Sequence, residues 1–333
     1  MVADVPVGVF LSGGIDSSLI TSIAQKKYYE KNSKPVKTFT IGFKDKKHDE
    51  SIYAKKIASF LKTDHHEEIL GKKEIIDIIP NLNNVYGEPF ADYSSIPTYL
   101  VSKLAKKNVK VVLSGDGGDE IFGGYVRYFY AKRIDSFKNF FSPGFLKIIK
   151  KILLATNPKF FDKIYDLLSS FLFQNNISFI GDKVHKFGKV IDSADEKEIY
   201  FKIINLWENC ISESKYFKDF SSTQNEKIWN SQISIERKMM LSDLENYLVD
   251  DILVKVDRAS MYNSLECRAP FLDYNIFQET LKLKNNQLFF KSEGKIILKK
   301  ILNEYLPKSL YERPKKGFGV PISKWFRADL NNW

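Results

Sequence analysis

Residues Val5–Leu11 form one continuous apolar run, with Pro6 near its start, that stops at Ser12-Gly13-Gly14 and passes directly into Leu19, Ile20, Ile23 and Ala24 at helical spacing. A strand covered on both faces reads as such a run rather than as an alternation. A chain that turns from a covered strand into a helix over two glycines is committed to a layered α/β arrangement. The pattern then repeats. Val36–Phe43 reads as a second strand, Ser51–Leu61 as a helix and His66–Leu70 as a short third strand. Glu74–Tyr86 and Ser95–Lys106 carry helical spacing, and Val109–Leu113 is a buried strand ending at Ser114. Strand, helix, strand in repetition implies parallel pairing. The expected fold class is therefore α/β: a parallel twisted sheet with helices on both faces, followed by a largely helical C-terminal region. Residues 134–235 are rich in Phe, Ile, Lys and Asn at helical spacing, more helices are expected over 236–306, and 307–333 is punctuated by Pro and Gly. The expected division is 1–133 for the α/β core and 134–333 for the helical region.

Ligands of parallel sheets sit beyond the carboxyl ends of the strands, and two polar glycine loops, 12–18 and 114–120, lie at such ends. In the first, Gly13 and Gly14 let the backbone approach an anion. The following helix points its free N–H groups and positive dipole end at the same spot, and Ser12, Ser17 and Ser18 add hydroxyls. Asp16 is the odd residue, since a carboxylate facing a phosphate repels it unless a cation lies between; Mg²⁺, which accepts carboxylate and phosphate oxygens together, explains it most economically. There is no Gly-Lys-Ser/Thr, so this is not the P-loop of ATPases. The bland alternative is a Ser/Asp helix cap on a glycine turn. The second loop, Ser114-Gly115-Asp116-Gly117-Gly118-Asp119-Glu120, gathers three acids among its glycines and runs on to Gly123-Gly124-Tyr125. Its bland alternative is an exposed acidic turn; buried, it calls for a cation or a basic partner.

Composition narrows the setting. There are 51 Lys+Arg against 41 Asp+Glu, a net charge of +10 that suits an anionic substrate and equally a solvated lysine-rich surface. Two isolated cysteines, Cys210 and Cys267, make neither a disulfide scaffold nor a zinc site. No apolar stretch approaches the ~18 residues that span a bilayer. Met1-Val2-Ala3-Asp4 lacks the basic head of a signal peptide, so a cytoplasmic location without membrane attachment is expected. His65 and His66 are read as structural. Arg258, Glu266 and Arg268, in a region read as helical, are expected to form an ion-pair network shaping a pocket.

Ser12-Gly13-Gly14-Ile15-Asp16-Ser17-Ser18 resembles the loop of the ATP pyrophosphatase (PP-loop) superfamily, whose members cleave at the α-phosphate. Four further segments narrow the resemblance: Ser114–Glu120 with its Gly-Gly-Tyr; Phe39-Thr40-Ile41-Gly42-Phe43 followed by Asp49-Glu50 and Ala54; Glu88-Pro89-Phe90-Ala91-Asp92; and Asp257-Arg258-Ala259-Ser260-Met261 with Leu265–Asp273. Together they are similar to the synthetase half of glutamine-hydrolysing asparagine synthetases, from about residue 4 to the last residue and most weakly across 135–235. The resemblance implies an adenine nucleotide alpha hydrolase-like sheet at 1–133 and a helical region at 134–333 that completes the active site, with ATP as substrate and Mg²⁺ as cofactor. It implies that Leu11 and Ile41 flank the adenine, that Ser12, Gly13, Gly14, Asp16, Ser17 and Ser18 hold pyrophosphate and Mg²⁺, and that Ser114 and Gly115 lie by the α-phosphate. Asp119 is implied as a second Mg²⁺ ligand or a partner of the substrate amino group. Lys295 matches the lysine that neutralises charge as the acyl-adenylate forms. Asp116 stands where better-known members have Glu, one methylene longer, which leaves the acceptor open.

The implied reaction adenylates the side-chain carboxylate of aspartate, releases pyrophosphate, and gives asparagine and AMP on attack by ammonia. The alternatives are the same chemistry on another carboxylate, such as a cell-surface sugar or an antibiotic precursor, and, less favoured, a tRNA-modifying enzyme of the same superfamily. The family's N-terminal glutaminase domain is not expected in these residues, so ammonia is expected from a domain or subunit outside them. Nucleic acid is not an expected partner, and a homodimer is left open. Lys315-Lys316-Gly317-Phe318-Gly319-Val320-Pro321 is read either as closing over substrate or as a basic surface turn.

Overall fold

A computed structural model describes residues 3–45, 49–172, 179–205 and 225–313. The chain forms two compact units, Met1–Gly124 together with the chain from Asp243 onward, and Tyr125–Ser242. The first is built on five strands: β1 (Val7–Phe10), β2 (Lys37–Phe43), β3 (Asp64–Leu70), β4 (Val111–Leu113) and β5 (Glu266–Arg268). All are parallel, in the order β3-β2-β1-β4-β5. The expected division at 133/134 differs from these units: the first ends at Gly124 and takes up the chain again from Asp243, whose largely helical course adds β5 to the sheet edge beside β4. Glu266 and Arg268, read as helical, are on that strand; three residues are too short a run for periodicity to reveal.

The side-chain alternation of β2 shows how the sheet is covered. Phe39, Ile41 and Phe43 face a core shared with Ile96, Leu100 and Leu104 of the helix Ser95–Lys106. On the opposite face, a Cβ on Gly42 would lie 2.6 Å from the Ser51 hydroxyl, at the start of the helix Ser51–Leu61. Helices therefore cover both faces, as expected. The edge strand β3 carries Asp64, Glu67 and Glu68, charges that discourage pairing with another edge. Of the predicted helices, Ser51–Leu61 and Ser95–Lys106 match end to end. The predicted helix at 74–86 is three short pieces, Lys72–Ile76, Ile79–Asn81 and Leu82–Tyr86, because Pro80 has no N–H to continue the ladder. In Ile15–Asn32 the buried face is partly hydroxylic. Thr21 donates to the Ser17 carbonyl and Ser22 to the Ser18 carbonyl, both at 2.7 Å, while Ile23 is exposed.

The second unit is helical throughout its described residues, with the longest helices at Val126–Lys138, Pro143–Ala155 and Pro158–Leu172.

Candidate functional site

β1 is the central strand: from it the chain runs outward through β2 to β3, then crosses back to β4 on the other side of β1. The crevice at the carboxyl ends of β1 and β4 is the switch point where α/β sheets bind ligands. Both glycine loops open into it and touch. A Cβ on Gly115 would come within 3.0 Å of the Asp16 Cβ and of the Ser17 nitrogen, and one on Gly118 within 2.6 Å of Asp16 Oδ1.

The β1 loop is tied by its own serines. The Ser12 and Ser17 hydroxyls lie 2.9 Å apart, the Ser12 N–H donates to Ser17 Oγ at 3.2 Å, and the Gly14 N–H donates to Ser12 Oγ at 3.3 Å. Gly13 has φ +77°, and the space beside it is filled by the Ala54 nitrogen at 2.9 Å, so only glycine fits on both counts. The first bond of the helix Ile15–Asn32 runs from the Ser18 N–H to the Gly14 carbonyl, which leaves the preceding N–H groups without an intrahelical acceptor. Ser18 and Ser114 are buried, and the Ser18 hydroxyl has no hydrogen-bond partner among the described residues. These are donors arranged for an anion.

Lys295 closes the site from the far end of the chain. Its ammonium contacts Asp16 Oδ2 and lies 2.8 Å from Asp119 Oδ1, with the lysine side chain 6% exposed and the acids 17% and 20%. Burial alone would lower the ammonium's pKa; the two carboxylates outweigh it and hold the group above its ordinary value. Access depends on glycines. Gly294 lies so close to the Gly123 carbonyl that a Cβ would sit 1.9 Å from its oxygen, and a Cβ on Gly124 would sit 2.1 Å from Lys295 Cε. The Lys295 N–H donates to the Phe122 carbonyl at 3.1 Å, which seats the residue in the left-handed region at φ 59° before the helix Ile296–Leu302.

The other predicted residues fall around this centre. Leu11 and Ile41 are 1% and 2% exposed. The Leu11 N–H donates to the Phe39 carbonyl, its carbonyl accepts from the Thr40 hydroxyl, and Ile41 points into the core. Burial raises the pKa of the Asp116 carboxyl, and Asp119 adds to the rise; the Ser114 hydroxyl and Lys255 ammonium oppose it. Cys267 on β5 has its thiol pushed up to about 12 by burial, with the charges of Asp116 and Asp257 adding to it. The acidic segment after β2 is an anchor: Asp49 accepts the N–H groups of Ser51 at 3.0 Å and Phe43 at 3.3 Å. Arg313 pairs with Glu50 at 2.9 Å and stacks 4.1 Å over Tyr53. His65 bonds the Thr38 hydroxyl at 2.9 Å and His66 stacks on Phe39. Arg268 pairs with Glu266 at 2.6 Å and Arg258 with Glu88 at 3.1 Å. The expected segment Lys315–Pro321 and Cys210 lie outside the described residues.

Sequence reasoning missed Lys255, which contacts Asp92, and the glycine at 294; the only signal for the latter was its place immediately before Lys295. Among the described residues there is no group of three or more His, Cys, Asp or Glu side chains that could hold a metal, and no helix is long and apolar enough to cross a membrane.

Fold and site together define a parallel α/β protein of the nucleotide-hydrolase-like type with an acid-and-lysine centre at its switch point. The family model described as asparagine synthase matches residues 1–333, and the chain belongs to that family. It is 32% identical, over its whole length, to 49% of asparagine synthetase [glutamine-hydrolyzing] 1 of Bacillus subtilis (strain 168). It is 35% identical, over 78% of its length, to 46% of a Methanocaldococcus jannaschii protein provisionally named asparagine synthetase [glutamine-hydrolyzing] 2. The chain spans about half the length of these relatives.

Proposed function

We propose that the chain is the synthetase portion of an ATP-dependent, amide-forming ligase of the asparagine synthetase type. A side-chain carboxylate oxygen of aspartate bonds to the α-phosphorus of ATP, the bond to the bridging oxygen breaks, and pyrophosphate leaves. Ammonia nitrogen then bonds to the acyl carbon, the bond to the AMP oxygen breaks, and the nitrogen gives up a proton. The observation that carries this reading is the meeting of the two glycine loops at adjacent strand ends, with Lys295 between Asp16 and Asp119.

The first step gathers negative charge on phosphoryl oxygens, and positioned donors that need no reorganisation stabilise it. In this chain those donors are the serine hydroxyls of the β1 loop, the open N–H groups at the start of the helix Ile15–Asn32, and the Lys295 ammonium. Lys295 stays charged through any physiological pH because its two acids hold it so. Asp16 and Asp119 reach a common cation, which fits Mg²⁺ bound through two carboxylates with the remaining ligands from phosphate and water. The ion would then travel with the nucleotide rather than sit in a cage of protein ligands. When bound it would offset the charge of the departing pyrophosphate. The relatives are named as glutamine-hydrolysing, and we assign the ammonia supply to a glutaminase domain or subunit.

Pyrophosphate release with Mg-ATP, ammonia and a panel of carboxylates tests this directly. Release that requires aspartate, with asparagine and AMP as products, supports the reading. Release that requires a different carboxylate moves the acceptor, and nucleotide cleavage independent of any carboxylate overturns the ligase.

A further inference from the structure

The Glu88-Pro89-Phe90-Ala91-Asp92 segment has no task in the reaction as derived. It is the loop between the helices Leu82–Tyr86 and Ser95–Lys106, and the helix Val254–Tyr262 packs against both. Lys255 and Arg258 are three residues apart and share one face of that helix. Each takes one acid of the loop: Lys255 Nζ contacts Asp92 Oδ2, and Arg258 Nη1 lies 3.1 Å from Glu88 Oε1 and also donates to the Tyr86 carbonyl.

The two pairs differ in kind. Arg258 and Glu88 are 38% and 60% exposed, whereas Lys255 and Asp92 are 8% and 12% exposed. An exposed pair is screened and keeps its side-chain freedom, so it contributes little. Removing one member of a buried pair leaves a charge without compensation. Asp92 is fixed further by the Ser94 N–H at 2.7 Å and the Ser94 hydroxyl at 2.8 Å, both donating to Oδ1. A third acid borders the pair. Asp251 has a buried Oδ1 with no hydrogen-bond partner among the described residues, and burial with the Asp92 charge lifts its carboxyl to about 6. Asp251 lies in a π-helical turn, Leu248–Leu253, immediately before the turn that carries Lys255; such turns recur at functional sites. The Lys255 charge also opposes the rise of the Asp116 carboxyl in the β4 loop. One buried cation thus pairs directly with the 88–92 loop and lends its charge to acids of the π-helical turn and the β4 loop.

We propose that Lys255 is a positioning residue for the acceptor side of the site: latched to Asp92, it fixes the 88–92 loop on the helix Val254–Tyr262. It acts through Asp92. The kinetic consequence rests on the ligase reading; the fixing of the loop does not.

The variants are Lys255→Met, Asp92→Asn, Lys255→Arg, the paired Lys255→Met/Asp92→Leu, and Arg258→Met for comparison. Hydrogen exchange of peptides covering residues 87–94 is expected to rise about tenfold or more in Lys255→Met and Asp92→Asn, and less than about threefold in Arg258→Met. Exchange within the helix Ile15–Asn32 stays as in the wild type. In acceptor-dependent pyrophosphate release, Lys255→Met and Asp92→Asn raise the acceptor KM about tenfold or more while the KM for ATP stays within about twofold. Lys255→Arg restores most of the acceptor KM. If exchange at 87–94 is unchanged in Lys255→Met, the latch is overturned whatever the activity. A loosened loop with an unaltered acceptor KM overturns the positioning role on the acceptor side. A wild type without acceptor-dependent release defeats the ligase reading alone, and exchange still decides the latch. Should Lys255→Met fail to fold, the paired variant, which leaves no lone buried charge, is read in the same two assays.

Discussion

Gly124→Ala should cut activity about 10²-fold without unfolding the protein, and the structure says why in distances. A Cβ at 124 would stand 2.0 Å from Asp119 Oδ1, 2.1 Å from Lys295 Cε and 2.8 Å from Lys295 Nζ. Ordinary contact begins at 3.4 Å, so the Asp119 oxygen must retreat by about 1.4 Å and the lysine stem by about as much. All three atoms belong to the ends of flexible side chains, and Gly124 does not have positive φ. The backbone therefore accepts alanine, and the melting temperature should move by no more than about 2 °C. The catalytic cost is larger, because a shift of about 1 Å in a charge-stabilising group costs on the order of 10²-fold in rate. The assay is pyrophosphate release with Mg-ATP, ammonia and the preferred carboxylate, run beside a thermal scan of the same preparation. A folded Gly124→Ala enzyme at the wild-type rate would refute the claim that the Lys295–Asp119 contact matters. A fall in rate matched by a large fall in melting temperature would refute the claim that the site moves independently of the fold.

The neighbouring glycine should behave in the opposite way. In Gly294→Ala the new Cβ meets the Gly123 carbonyl oxygen at 1.9 Å, a backbone atom that cannot turn aside, so stability should fall by about 3 kcal/mol as measured in urea. Lys295→Ala and Asp16→Asn should each lose about 10²-fold or more in acceptor-dependent release, and a normal rate in either would remove it from the mechanism. Cys267, with its thiol lifted to about 12, should stay unalkylated by iodoacetamide at pH 8 in native protein and react on unfolding, as read by peptide mapping. Asp251 is raised to about 6, so the folded state holds its proton more tightly than the unfolded state. That relation is favourable at acid pH and is lost as pH rises toward 6. Asp251→Asn should therefore raise the melting temperature more at pH 8 than at pH 4.5, and an equal gain at both would show that the carboxyl does not titrate there.

How much of this was legible depends on how local the signal is. The β1 loop is contiguous, and its conformation follows from a covered strand, two glycines and a helix start, so Ser12–Ser18 could be read from residues alone. The parallel sheet was legible because four strands alternate with helices of ordinary length. β5 was not, since Glu266-Cys267-Arg268 is short, polar at both ends and half-exposed, and only its pairing with Val111–Leu113 makes it a strand. The same holds for Lys255. A lysine at the start of a helix looks like a solvated side chain, and its burial against Asp92, 163 residues earlier, is a property of tertiary packing. Lys295 was reached through family resemblance; periodicity does not place a residue 279 positions from Asp16 beside it.

The charge balance at the centre resolves the oddity of acids in an anion cradle. Taken alone, Asp16 and Asp119 would repel a triphosphate, and burying them unpaired would be costly. Lys295 offsets one charge and leaves the trio one unit negative, which is the condition in which a further cation is attracted and a bare polyphosphate is not. Reversing that balance is a sharper test than deleting it. In Asp119→Asn the trio becomes neutral and Asp16 keeps its lysine, so the fold should survive. Binding of ATP without divalent cation should tighten while binding of Mg-ATP weakens, a crossover measurable by calorimetry with and without chelator. A variant in which both forms of the nucleotide weaken together would mean that Asp119 acts by shaping the loop, and the electrostatic account of the site would have to be abandoned.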